Sequence, residues 1–209
     1  AVAALLAGEV GRLLIDPEGP IRAEAVFHGG LLSGAFNPLH EGHRELARAA
    51  ARILGEPVLF ELSLRNVDKP PLSEGEALRR ARQFSGQAAL ALTGAPTFRE
   101  KARLFPGCAF IIGYDTAIRV VAPRYYAGEA DMWDALREIR ERGCRFLVAG
   151  RLHAGAYRTL RDVAIPEDLR SLFSEIPESA FRLDVSSTEV RAGARSPECA
   201  AGPSSRRHE

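Results

Sequence analysis

The sequence predicts an α/β protein, a parallel sheet with helices on both faces. Three observations carry this. Short apolar runs alternate with helix-patterned segments from Leu31 to Arg191, the order that a parallel sheet with crossover helices requires. The first run, Leu31-Leu32, breaks at Gly34 and passes through Asn37-Pro38 into an alanine-rich stretch beginning at Gly42. The last run, Phe181–Val185, passes in the same way into Ser186-Ser187-Thr188.

In chain order, residues 1–15 read as a short amphipathic helix, Asp16–Pro20 as a turn cluster, and residues 21–29 as a connector. The strand at Leu31-Leu32 is followed by a helix over 42–54. Val58–Ser63 is apolar, bounded by Pro57, and reads as a buried strand. A proline-stiffened loop, 66–72, follows it at the strand end where open α/β sheets bind ligands. Ser73-Glu74-Gly75-Glu76 has capping-box spacing and opens a helix whose arginines, Arg79, Arg80 and Arg82, are expected on its outer face. Ala88–Leu92 is a weak strand, Thr97–Leu104 a short helix or loop, and Cys108–Ile112 the clearest strand in the chain. A helix over 130–142 precedes the strand Arg145–Ala149, and Phe181–Val185 alternates like a further strand. Residues 194–209 are small, polar and proline-containing, and read as a disordered tail.

The stretch Gly34-Ala35-Phe36-Asn37-Pro38-Leu39-His40-Glu41-Gly42-His43 organises the rest. Gly34 permits a tight turn that a side chain would obstruct. His40 and His43, three residues apart at a helix start, can face the same way roughly 5–6 Å apart. The free N–H groups there and the positive end of the helix dipole form an anion site. Two imidazoles over such a site can donate to phosphate oxygens as charge builds on them. Downstream, Ser187 and Thr188 offer hydroxyls and N–H groups at a second helix start, and Arg191 a planar fork of donors.

The first stretch resembles the G-[ST]-F-[ND]-P-x-H-x-G-H signature of the nucleotidylyltransferase superfamily, and Val185–Arg191 resembles its I-S-S-T-x-I-R signature with Val for both isoleucines. One position departs: Ala35 stands where the family carries Ser or Thr, so a hydroxyl is lost while the backbone N–H stays. The resemblance spans residues 31–191 and implies a Rossmann-like, HIGH-type nucleotidylyltransferase fold. It implies a catalytic set of His40, His43, Lys69 and Arg191. Nucleotide contacts are implied at Gly34, Ala35, Phe36, Asn37, Gly42, Gly113, Asp115, Arg151, Ser187 and Thr188. Gly113-Tyr114-Asp115 resembles the G-[AG]-D stretch of the nicotinamide- and nicotinate-mononucleotide adenylyltransferases, with Tyr114 for the small residue. Tyr125, Tyr126 and Trp133 are candidates to stack on nicotinamide, though ordinary packing explains each. His153 reads as a loop histidine.

The reaction so implied is transfer of AMP from ATP to nicotinamide or nicotinate mononucleotide, with release of pyrophosphate. Cytidylyl transfer, phosphopantetheine adenylylation and a catalytically silent nucleotide-binding module stand as alternatives. Mg²⁺ is expected with the triphosphate, held by phosphate oxygens, and no protein metal ligand is assigned. Residues 1–29 stand as either an N-terminal extension on the core or the tail of an upstream domain, as in related chains that follow a CinA-like domain. Residues 30–193 would form the nucleotidylyltransferase domain.

Bulk properties exclude several classes. A formal net charge of +1 over 209 residues gives no electrostatic case for a nucleic-acid or membrane-surface partner. The three cysteines are odd in number and lack C-x-x-C spacing, which fits reduced thiols in the cytoplasm rather than a disulfide frame or zinc site. No apolar run approaches the ~20 residues of a membrane span. Oligomeric state is not legible.

Overall fold

The computed structural model describes residues 1–67, 70–153 and 155–182. In chain order the regular elements are α1 (Val2–Ala7), β1 (Arg12–Ile15), β2 (Ile21–Ala23), β3 (Gly30–Ser33), α2 (Glu41–Leu54), β4 (Val58–Ser63) and α3 (Glu74–Ala81). They continue with β5 (Leu90–Thr93), α4 (Phe98–Leu104), β6 (Ala109–Gly113), α5 (Tyr114–Val120), α6 (Glu129–Glu141), β7 (Arg145–Ala149), β8 (Arg151–His153), β9 (Ala156–Arg158) and β10 (Phe173–Ile176). An eight-stranded sheet runs β10-β7-β6-β3-β4-β5-β1-β2. The six strands from β10 to β5 are parallel; β1 and β2 are antiparallel additions at one edge. This is the α/β, Rossmann-like parallel sheet that the sequence predicts.

The order of the sheet places the site. From β3 the chain steps outward through β4 to β5, then returns across β3 to build β6, β7 and β10 on the other side. The direction of winding therefore reverses between β3 and β6. In doubly wound sheets the crevice beyond the strand C-termini at such a reversal is where ligands bind, because the two loops there diverge to opposite faces. Here those loops begin at Gly34 and at Gly113.

Alternate residues of the strands supply two cores. Leu31, Leu59, Phe110 and Phe146 pack with Phe105 beyond α4 and with Leu136 and Ile139 of α6. Leu32, Phe60, Leu62, Ile111 and Leu147 pack with Ala47, Ala49 and Ala50 of α2 and Ala77 of α3. The alanines let α2 lie close to the sheet, which fixes the angle at which its N-terminus meets the strand ends. Burying each large apolar side chain contributes about 1.5–3 kcal/mol, so the frame beneath the site is stiff.

Several elements differ from the sequence reading. Residues 1–15 are not one helix: α1 closes at Gly8, and Arg12–Ile15 pairs with β5 (Leu13 opposite Leu92, Leu14 opposite Ala91). The connector holds β2, three exposed residues on β1. Both Val2 and Leu5 of α1, and Leu13 of β1, are buried in the α2-side core, so this segment packs on the domain. Phe181 and Arg182 are not in a strand; the strand before that region is Phe173–Ile176, paired in parallel with β7. Gly150-Arg151 does not simply end β7, because Arg151–His153 and Ala156–Arg158 form a separate small hairpin. The ring of Tyr157 lies over Gly150, where a Cβ would stand 2.7 Å from it, so a side chain at 150 would require that ring to move. Among the described residues no helix is long and apolar enough to cross a membrane.

Candidate active site

The turn from β3 to α2 is built around Phe36. Its backbone has φ of 44°, a conformation that costs energy for a residue with a side chain, and its ring is buried. The ring meets Phe60, Phe84 and His43 edge-on, with centroids 5.6, 5.2 and 5.1 Å away. It also folds back over Gly34, where a Cβ would stand 2.6 Å from it. Glycine at 34 is therefore required by the buried phenyl ring and not by the backbone conformation of the turn. The Gly34 N–H donates to the Glu61 carbonyl at 3.0 Å, which ties the start of the turn to β4.

The far side of the turn is held by α3. Gln83, just after that helix, donates to the Phe36 carbonyl and accepts the Leu39 N–H, each at 2.9 Å. One side chain thus clasps both ends of the Asn37-Pro38 peptide, which is cis. Arg80 donates to the Ala35 carbonyl at 2.9 Å, and Arg79 to the Asn37 side-chain oxygen at 2.7 Å. Arg79 and Arg82 are exposed, as expected of an outer face, whereas Arg80 is largely buried against the turn, which corrects the expectation for that residue. Glu76 orients both guanidiniums, and this is why Ser73 caps α3 through the Glu76 N–H without the reciprocal half of a capping box.

Beyond the turn, His40 is the N-cap of α2 and His43 lies in its first turn. Their rings are stacked, with centroids 3.7 Å apart and planes 28° from parallel, closer than helical spacing alone suggests. The Nδ1 of His43 accepts the His40 N–H at 3.3 Å, which places the ring proton of neutral His43 on Nε2. Burial pushes the His43 imidazole down to about 4, helped by the nearby His40 and Arg44 charges. Burial also lowers His40, with Arg44 contributing. At neutral pH the pair is uncharged, and each ring offers one N–H donor. Ala35 is exposed, Asn37 half-buried and Gly42 buried at the base of the helix start.

The neighbouring strand ends bring Asp115 and Arg151 together. Gly113 is opposite Ala149 in the β6–β7 register, so the residues two further along each chain meet. Asp115 lies in the first turn of α5 and pairs with the Arg151 guanidinium; His153 Nδ1 is 3.6 Å from its other oxygen. Gly113 is the N-cap of α5. His153 is therefore a member of this cluster rather than an isolated loop histidine. Of the aromatic candidates, Tyr126 donates to the Val120 carbonyl at 2.8 Å and packs on the core with Trp133, whereas Tyr125 is exposed. Lys69, Ser187, Thr188 and Arg191 lie outside the described residues. The loop that carries position 69 is pinned at its two ends: the Ser63 hydroxyl lies within donating distance of the Arg65 carbonyl (2.6 Å) and the Ala95 carbonyl (3.0 Å), and the Leu72 N–H donates to the Leu64 carbonyl.

Gln83 and the pairing of Lys101 with Glu61 are not legible in the sequence, where Lys101 reads with Phe98 and Arg99 as a residue near the acceptor side. Nothing near Gln83 marks it. Glu61 carried a signal, since a carboxylate in the middle of Val-Leu-Phe-Glu-Leu needs a buried partner.

Chemically, the described crevice presents neutral N–H donors, a helix N-terminus and a set of arginines at the winding reversal of the sheet. That inventory suits an anionic, phosphate-bearing ligand. Comparison with known proteins agrees. The family model for cytidylyltransferase-like proteins matches residues 31–193. A probable nicotinate-nucleotide adenylyltransferase from Gloeobacter violaceus is 30% identical over 181 residues, covering 78% of this chain and 81% of that protein. The chain belongs to the cytidylyltransferase-like family, within the nucleotidylyltransferase superfamily.

Proposed function

We propose that the protein transfers AMP from ATP to nicotinate or nicotinamide mononucleotide, releasing pyrophosphate. The observation that carries this reading is the stacked, neutral His40–His43 pair at the start of α2, placed at the winding reversal beside Gly113 and Asp115. The name of the Gloeobacter violaceus relative supports nicotinate mononucleotide as the acceptor to try first.

In this reaction an acceptor phosphate oxygen attacks the α-phosphorus in line, a new P–O bond forms, and the bond to the pyrophosphate oxygen breaks. No enzyme nucleophile is needed, so catalysis consists of positioning and charge stabilisation. The Nε2–H of His43 and the ring of His40 would donate to oxygens on the α-phosphate as negative charge grows there. The backbone from Gly34 to Phe36 would cradle the triphosphate, with Ala35 contributing its N–H. Lys69, Ser187, Thr188 and Arg191 would hold the departing pyrophosphate. Asp115 would meet the acceptor's ribose, and Arg151 would contact a phosphate after leaving Asp115. Among the described residues no group of three or more His, Cys, Asp or Glu could hold a cation. Mg²⁺ would arrive on the triphosphate's own oxygens, where it would neutralise charge.

The test is pyrophosphate release with Mg²⁺ and ATP across nicotinate mononucleotide, nicotinamide mononucleotide, phosphopantetheine and phosphocholine, with CTP run in parallel. Release with ATP and a pyridine mononucleotide, abolished in His43→Ala, is the expected result. Release with CTP and phosphocholine alone would replace the reading by cytidylyl transfer, and triphosphate binding without release by any pair would make the domain a silent nucleotide-binding module.

A further inference from the structure

Beneath the Gly34 turn lies a buried ion pair that the reaction as described does not use. Lys101, at the middle of α4, sends its side chain under the sheet's C-terminal edge, where Nζ donates to Glu61 Oε2 at 2.5 Å and to Ser33 Oγ at 3.2 Å. Glu61 is fully buried and the Lys101 side chain is 8% exposed. The second oxygen of Glu61 accepts the Thr93 hydroxyl at 2.5 Å, and Thr93 Oγ1 accepts the Ala95 N–H at 3.3 Å. Ser33, Glu61 and Thr93 belong to β3, β4 and β5, three neighbours in the sheet. One ammonium therefore links the ends of three adjacent strands.

Stability does not explain this arrangement. A buried ion pair gives little or no net stabilisation over apolar side chains of the same volume, because desolvation offsets the attraction. Glu61 sits among Leu59, Phe60 and Leu62, where another leucine would serve the core. What the polar set adds is geometric definition, and its location shows where that definition falls. Ser33 is the last residue before the turn, and Glu61 is the residue whose carbonyl holds the Gly34 N–H at 3.0 Å. Lys101 grips the side chains of both.

We propose that Lys101 is a positioning residue for nucleotidyl transfer: by holding Ser33 and Glu61 it sets where the Gly34–Phe36 turn, and the histidines that follow, stand against the triphosphate. A shift of about 1 Å in such a turn is enough to cost roughly 100-fold in rate. The kinetic part of this inference rests on the proposed function; the geometric part does not.

The test uses the double variant Glu61→Gln/Lys101→Met. Glutamine keeps the acceptor for Thr93, methionine fills the lysine stem, and no buried charge is left unpaired, as Lys101→Met alone would leave it. The expected result is a thermal midpoint near wild type, at least about 10-fold faster hydrogen exchange of the Gly34 amide, and kcat lower by about 10-fold or more with acceptor KM within about 3-fold. Wild-type exchange and wild-type kcat would overturn the proposal and leave the pair a packing element. Should the double variant not fold, Ser33→Ala keeps the ion pair and removes only the grip on β3; faster Gly34 exchange again supports the proposal and wild-type exchange again overturns it. An absence of pyrophosphate release by the wild-type protein would count against the functional reading alone, since amide exchange is read without substrate.

Discussion

Acidification should destabilise this protein through His43 before it touches the carboxylates. In the folded chain the His43 imidazole is held down to about 4, with burial as the largest cause and the His40 and Arg44 charges adding to it. In the unfolded chain it titrates at its ordinary value near 6.5. Between those values the unfolded chain takes up a proton that the folded chain refuses, so the stabilisation is complete above about pH 6.5 and drains away as the pH falls toward 4. At pH 5 the linkage relation gives about 2 kcal/mol, and the half-buried ring's contact with solvent reduces this to about 1–2 kcal/mol. For a chain of this size that is about 2–8 °C in Tm. Glu76 and Glu138, drawn from 4.5 to about 2 by hydrogen bonds from Arg79 and Arg103 respectively, lose their contribution mainly below about pH 4.5, so a comparison that stops at pH 5 reads chiefly His43.

The matching variant is His43→Gln, because glutamine at this helix position can still accept the His40 N–H. It also removes the repulsion between the two rings, so part of the His40 effect goes with it. Thermal melts of both proteins at pH 7.5 and pH 5 give a difference of differences that cancels any packing loss. Wild type should lose about 2–8 °C more than the variant over that interval. Equal losses would mean that His43 is not held neutral, and the picture of the pair as uncharged donors would fall with it.

Four further outcomes follow from the site. His43→Ala should lower kcat by about 10²–10³, the scale of losing one transition-state donor, with circular dichroism unchanged; near-wild-type turnover would remove it from the mechanism. Gln83→Leu should cost about 1–3 kcal/mol in urea unfolding, since it strands the Leu39 N–H and the Phe36 carbonyl; a cost near zero would show that water replaces the clasp. Gly34→Ala should lower Tm and activity together, because the Phe36 ring must move to admit the methyl group, and Gly34→Ala/Phe36→Leu should recover part of the Tm. Asp115→Asn should free Arg151 and raise acceptor KM several-fold with little change in KM for ATP; a change confined to ATP would reassign the cluster to the triphosphate.

What could be read from the sequence was what is contiguous in it. The Gly34–His43 turn carries its glycine, proline and histidines within ten residues, so its chemistry is visible without a fold. Val58–Ser63 is apolar enough to be placed to the residue. The supports of the turn are another matter. Gln83 reaches Leu39 across 44 positions and Lys101 reaches Glu61 across 40, and no local pattern foretells such pairings. Phe173–Ile176 escaped because four residues with an exposed Ser174 between buried ends look like a loop until β7 provides a partner. The N-terminal strands escaped for the same reason, since Arg12–Ile15 gains strand character from β5.

That last pairing bears on how the chain can be divided. With β1 in place, the flank of β5 is hydrogen-bonded along its whole length, and the outermost strand is only Ile21–Ala23, short and carrying Arg22. A chain trimmed to residues 30–193 would bare the backbone of Leu90–Thr93, four buried residues without a charge, as a template for another molecule's strand. The hazard of such trimming is self-association through that seam. A residue boundary drawn by family resemblance alone would cut through the sheet's own protective border.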